Sequence, residues 1–186
     1  MRLFVAIALL PEIRAALAAL ITEFRAIAPR AKWVRAENLH VTLKFLGDTD
    51  ASKLASIVAS LGTVHSTQAV THDFHGLGFF PNEKRPRVFW AGMQASPNLP
   101  SLVADMDRAM HKLGFPLEDR PFTPHLTLAR FNSAGLPPGF AAAVKENATR
   151  KFGSLATSEF HLIESKLKPA GAEYTTVQSF PFVVEA

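Results

Sequence analysis

Hydrophobic and polar positions alternate over residues 2–9, with Leu3, Val5, Ile7 and Leu9 on one face and Arg2, Phe4, Ala6 and Ala8 on the other. That is the period of a β-strand. At Pro11, a favourable first-turn residue, the period lengthens. Ile13, Leu17, Leu20, Ile21, Phe24 and Ile27 then recur at three- and four-residue spacing until Pro29, which predicts a core-facing helix. HVTLKFLG at 40–47 reads as a strand, closed by the turn residues 47–50 and followed by a helix to about Leu61.

Residues 70–80 and 87–93 read as two strands that pair as a hairpin across the turn-rich segment 81–86. Leu99, Leu102, Val103, Met106, Met110 and Leu113 mark a third helix, with Gly114 at its left-handed cap position. A strand HLTLARF, a short helix over 140–150 and strands over 155–167 and 174–184 complete the order. The expected class is α+β.

The segments beginning at His40 and His125 both read His-aliphatic-Thr-Leu. This repetition suggests two similar lobes facing each other. In an extended strand residues i and i+2 project to one side, about 6.6–6.8 Å apart along the chain. His40 and Thr42 therefore share a face, as do His125 and Thr127. Helices covering the aliphatic faces would leave both His/Thr pairs looking into a cleft between the lobes.

With 186 residues, 48% of them hydrophobic, the chain can bury a real core, and we expect a single bilobal domain over 1–186. The absence of cysteine excludes disulfides, thiolate metal sites and a cysteine nucleophile. Pro11, Glu12 and Arg14 interrupt the N-terminal apolar run, so it is read as strand and helix rather than as a signal peptide. No run approaches the roughly 18 apolar residues of a membrane span, and a cytoplasmic, monomeric protein is expected. A net charge of +4 suits a polyanionic partner, but the basic residues are scattered.

Two imidazoles and two hydroxyls suit in-line displacement at phosphorus. One histidine takes a proton from water while the other protonates the departing oxygen, and the threonines hold the non-bridging oxygens. Imidazole titrates near neutrality, so either ring can serve in either role. No metal or other cofactor is required by this scheme.

Other residues carry weaker signals. His72 and His75, three apart in a strand, point to opposite faces and do not make a metal site. His65, His111 and His161 have no partner motif. By simple alternation Lys44 shares the face of His40 and Thr42, whereas Arg130 lies opposite His125 unless a bulge re-aims it. Phe4 is a possible base-stacking residue, with core packing the plainer reading. Gly76-Leu77-Gly78 is too short and wrongly placed for a phosphate loop.

The opening MRLFVAI, the approach WVRAENLHVTLKFLGD and the segment FTPHLTLAR resemble the bacterial RNA 2′,3′-cyclic phosphodiesterases of the 2H phosphoesterase superfamily, 2′-5′ RNA ligase-like proteins. The resemblance covers most of the chain. It implies a bilobal fold of two pseudo-symmetric lobes, each an antiparallel sheet covered by helices, around an active-site cleft. It also implies metal-independent hydrolysis of an RNA 2′,3′-cyclic phosphate end, or of a small cyclic nucleotide, to a 2′-phosphomonoester. His40 would be the proton donor, His125 the proton acceptor, and Thr42 and Thr127 the phosphate ligands. Two alternatives stand beside this reading: 2′-5′ ligation of tRNA halves, and an RNA-binding module without chemistry.

Overall fold

A computed structural model of the chain describes residues 1–132, 135–169 and 171–183. The predicted first strand is β1 (Arg2–Ala8), and the helix beginning at Pro11 is α1 (Pro11–Ile27). That helix stops two residues before Pro29, because the residue preceding a proline disfavours the α conformation. The first His/Thr segment forms β3 (His40–Asp48), after a two-residue strand β2 (Lys32–Trp33) too short for any periodicity to reveal. Next come α2 (Leu54–Leu61), the hairpin strands β4 (Val70–Phe80) and β5 (Val88–Ala95), and α3 (Asn98–His111). Gly114 has φ +88°, consistent with the cap predicted for it.

The second His/Thr segment is β6 (His125–Arg130), followed by α4 (Phe140–Glu146). The sequence expectation of one strand over 155–167 is corrected here. The chain forms β7 (Lys151–Thr157) and β8 (Glu159–Lys168) in different sheets, crossing between them at Ser158. β7 pairs with β4 and β8 with β1, so non-local partners, not a local turn signal, divide the run. The last strand, β9 (Gly171–Pro181), starts earlier than expected as the return arm of a hairpin with β8. Val184 lies outside the described residues.

Two antiparallel sheets result, ordered β3-β1-β8-β9 and β2-β6-β5-β4-β7. The halves of the sequence interleave: the four-stranded sheet takes strands from both ends of the chain. The helices are exchanged as well. α1 leaves the four-stranded sheet but packs on β7 and α4, and α3 leaves the five-stranded sheet but packs on β3 and α2. One continuous core joins both sheets and all four helices, running from Leu3 and Val5 through Phe74 and Phe89 to Phe160 and Phe182. At its centre Phe140 touches the rings of Phe24, Phe79, Phe89 and Phe131. Each such fully buried aromatic contributes about 1.5–3 kcal/mol by area removed from water. A second, small apolar patch of Phe4, Ala6 and Ile163, with Tyr174 packed on it, occupies the other face of the four-stranded sheet. His40 lies there.

Candidate active site

β3 and β6 are built alike at the residue that matters for aim. Thr42 pairs with Ala6 and Lys44 with Val5, leaving Leu43 as an extra residue; Thr127 pairs with Trp90 and Ala129 with Phe89, leaving Leu128 extra. Each His-x-Thr-Leu segment thus carries a β-bulge at its leucine, which reverses the alternation beyond it. His40 and Thr42, like His125 and Thr127, are half-buried on one face, while Val41, Leu43, Leu126 and Leu128 are buried on the other.

The bulge corrects the expectation for Lys44 and resolves the one for Arg130. Lys44 turns away from His40 into the protein, where its ammonium donates to Asp107 (2.5 Å), the Pro116 carbonyl (2.7 Å) and Glu118 (3.4 Å). It is a structural ion pair and not a phosphate contact. Arg130 emerges exposed on the face of His125 and Thr127, and Phe45, at the matching position of β3, emerges 58% exposed beside His40 and Thr42. Phe4 does not present a free ring to a base. It is 3% exposed and packs at 4.7 Å on His40 and 5.0 Å on Tyr174.

Both histidines are held in the same way. The Nδ1–H of His40 donates to the Asn38 carbonyl at 2.7 Å, and that of His125 to the Thr123 carbonyl at 2.8 Å. A carbonyl only accepts, so each neutral ring keeps its proton on Nδ1 and leaves Nε2 for a ligand. Asn38 is itself fixed by a bond from its side-chain amide to the Ala172 carbonyl, 2.7 Å, which ties the approach to β3 against β9. Aromatic rings grip each imidazole: Phe4 and Tyr174 around His40, and Phe80, edge-on at 4.8 Å, against His125.

Burial pushes the pKa of His40 below the ordinary imidazole value, partly opposed by the bond to the Asn38 carbonyl. His125 is lowered chiefly by burial as well; its carbonyl partner opposes this and the positive charge of Arg130 adds to it. Arg130 also acts on Tyr174, whose hydroxyl pKa burial raises and the guanidinium lowers. Tyr174 itself stands edge-on to His40 at 5.4 Å. β3 and β6, the strands that carry the two His/Thr pairs, approach one another directly.

The carbonyls of Asn38 and Thr123 carry no sequence signal, being main-chain atoms. Tyr174 does carry one, as the only tyrosine of the chain. Of the remaining histidines, His72 is buried on the core face of β4 and His75 exposed on the other. Among the described residues no three His, Asp or Glu side chains converge as a metal site would require.

Comparison with known proteins gives consistent results. The family model for LigT-like phosphoesterases matches residues 7–90 and 93–174. An RNA 2′,3′-cyclic phosphodiesterase of Archaeoglobus fulgidus is 35% identical over 180 residues, covering 97% of this chain and 99% of its own. One of Methanocaldococcus jannaschii is 31% identical, covering 97% and 100%. Among solved structures, a protein of Thermus thermophilus superposes with a TM-score of 0.81 at 31% identity over the whole of both chains. Escherichia coli LigT complexed with 3′-AMP superposes with a TM-score of 0.74 at 29% identity over 96% of each.

Proposed function

We infer that this chain, which belongs to the LigT-like phosphoesterase family, hydrolyses 2′,3′-cyclic phosphodiester ends of RNA to 2′-phosphomonoesters. The observation that carries the reading is the duplicated site: two imidazoles, each with Nδ1–H tied to the carbonyl two residues earlier and Nε2 left for a ligand. The names of the relatives supply the substrate class.

In this reading the phosphate sits between the two sheets, with the Thr42 and Thr127 hydroxyls donating to its non-bridging oxygens. His125 enters neutral, and its Nε2 removes a proton from water as the water oxygen bonds to phosphorus. The bond to the 3′ oxygen breaks on the far side, and His40, entering protonated, gives its Nε2 proton to that oxygen. The product carries a 2′-phosphate and a 3′-hydroxyl. The histidines finish in exchanged protonation states and reset through solvent. Arg130, on the same face as His125, adds a fixed positive charge facing the phosphate. The scheme balances protons with two imidazoles and one water and requires no metal. In this reading the two sheets serve one site, and the chain works as a single bilobal domain.

The direct test is turnover of an oligonucleotide ending in a 2′,3′-cyclic phosphate, in the presence of EDTA, with product identified by its resistance to a 3′-specific phosphatase. We expect a 2′-phosphate, and a loss of about 10²- to 10⁴-fold in turnover for His40→Ala and for His125→Ala. Turnover restored only by a divalent metal would overturn the mechanism. Binding without turnover would overturn the function.

A further inference from the structure

Trp90 stands on β5 between Thr127 of β6 and Gly78 of β4, its cross-strand neighbours on either side. These positions share the face of the five-stranded sheet that carries His125. The indole lies down on this face. A Cβ built on Gly78 would overlap the benzo ring at Cζ2 and Cη2, with Cε2 at 2.8 Å, and one built on Gly92 would lie 3.3 Å from Cζ3.

Neither glycine has the left-handed φ that would by itself call for glycine. Gly92 is additionally constrained by the His75 carbonyl, 2.8 Å from its would-be Cβ, but at Gly78 the three nearest atoms all belong to the indole. Glycine within a strand weakens it. The flat placement also buries the indole N–H without a hydrogen-bond partner, a further cost. Since the ring remains partly exposed, ordinary core packing does not account for an arrangement that spends two strand positions and a hydrogen bond. A flat aromatic lying on the sheet face that also carries Thr127 and His125 is what stacking on a nucleobase requires.

We propose that Trp90 is the stacking platform for the base of the terminal nucleotide whose cyclic phosphate lies between His40 and His125. The proposal rests on the phosphodiesterase reading and adds the group recognised next to the phosphate. Adjacent strands are about 4.8 Å apart, so an indole reaching from Trp90 over Gly78 lies about 5–10 Å from a phosphate held at Thr127, the span of one nucleoside. Phe80 closes the platform on the catalytic side, its ring 5.3 Å from Trp90 and 4.8 Å, edge-on, from His125. Every base has a π-face, so the platform accepts all four, purines more tightly by area.

The experiment compares wild type, Trp90→Leu and Gly78→Ala, the last retaining the tryptophan but lifting it. With adenosine 2′,3′-cyclic phosphate as substrate, both variants should raise KM about 5- to 150-fold, the range that loss of one stacked base implies, with kcat changed by less than about threefold. Titration with adenosine 2′-monophosphate should quench tryptophan emission in wild type, whereas inorganic phosphate should not. In Trp90→Phe the remaining emission, from Trp33 packed against Phe89 and Phe140, should not respond. Unchanged KM in a folded Trp90→Leu or Gly78→Ala protein, a loss confined to kcat, or quenching that persists in Trp90→Phe would overturn the platform. Wild type that fails to hydrolyse the cyclic nucleotide but is quenched by the monophosphate would remove the activity and leave the platform standing.

Discussion

Acidification should destabilise this protein through one residue that the chemistry does not use. His72 is 1% exposed on the core face of β4, between Ala95 of β5 and Leu155 of β7, with its ring stacked on Phe74 at 6.0 Å. Among the described residues neither ring nitrogen has a hydrogen-bond partner. Burial lowers its pKa from 6.5 to about 4, partly opposed by the charge of Asp73. Above about pH 6.5 the ring is neutral in folded and unfolded chains alike, and the residue makes stability no pH-dependent contribution. As pH falls below that value the unfolded chain takes up a proton that the folded one refuses, so stability drops until about pH 4, where the folded form protonates too. A shift from 6.5 to about 4 corresponds to about 3 kcal/mol in full, of which about 2–3 kcal/mol is lost by pH 4.5. Against total stabilities of about 5–15 kcal/mol this is a large fraction. The assay is urea unfolding followed by tryptophan fluorescence at about pH 7.5 and about pH 4.5, for wild type and His72→Leu. The leucine variant should lose about 2–3 kcal/mol less than wild type on acidification. His40 and His125 titrate in both proteins and cancel in the comparison. Parallel losses in the two proteins would refute the argument, since they would mean that His72 is hydrated or partnered in the folded state.

Other consequences concern the site and its support. The value of kcat/KM should be bell-shaped, its acid limb set by His125 and its alkaline limb by His40; with both pKa values lowered, the optimum should fall below about pH 6.5. An optimum above neutrality would count against these roles. Arg130→Gln removes a charge that lowers His125, so the acid limb should move to higher pH. Asp107→Ala takes the nearest carboxylate from the Lys44 ammonium, whose side chain is 1% exposed, and should cost about 3–5 kcal/mol in urea unfolding, whereas replacing both partners, Lys44→Met with Asp107→Leu, should stay within about 1 kcal/mol of wild type. The opposite ranking would show that the pair is not effectively buried.

Much of this architecture is legible without coordinates. The stripe of α1, with Ile13, Leu17, Leu20, Ile21 and Phe24 all buried, and the hairpin of β4 and β5 follow from local periodicity, which records the environment each face must meet. The repeated His-x-Thr-Leu segment picks out the four residues of the proposed chemistry for a similar reason: a strand needs only alternation to present them together. Reading fails where one residue changes the parity. Alternation puts Lys44 beside His40, yet it is buried against Asp107, because the bulge at Leu43 adds a position that neither composition nor spacing marks. The same device at Leu128 delivers Arg130 to the face of His125 and Thr127.

The sequence by itself determined where most strands and all four helices form, which of their faces are apolar, and that two matched His/Thr pairs exist. It could do so because backbone geometry converts a spacing of two or of three and four residues directly into a shared face. Tertiary structure alone decided that a strand-competent run divides between two sheets at Ser158, that the helices exchange partners, and that Trp90 lies flat over Gly78. Those outcomes depend on which distant segments supply hydrogen bonds and free volume, a property of the folded whole that no local pattern of residues contains.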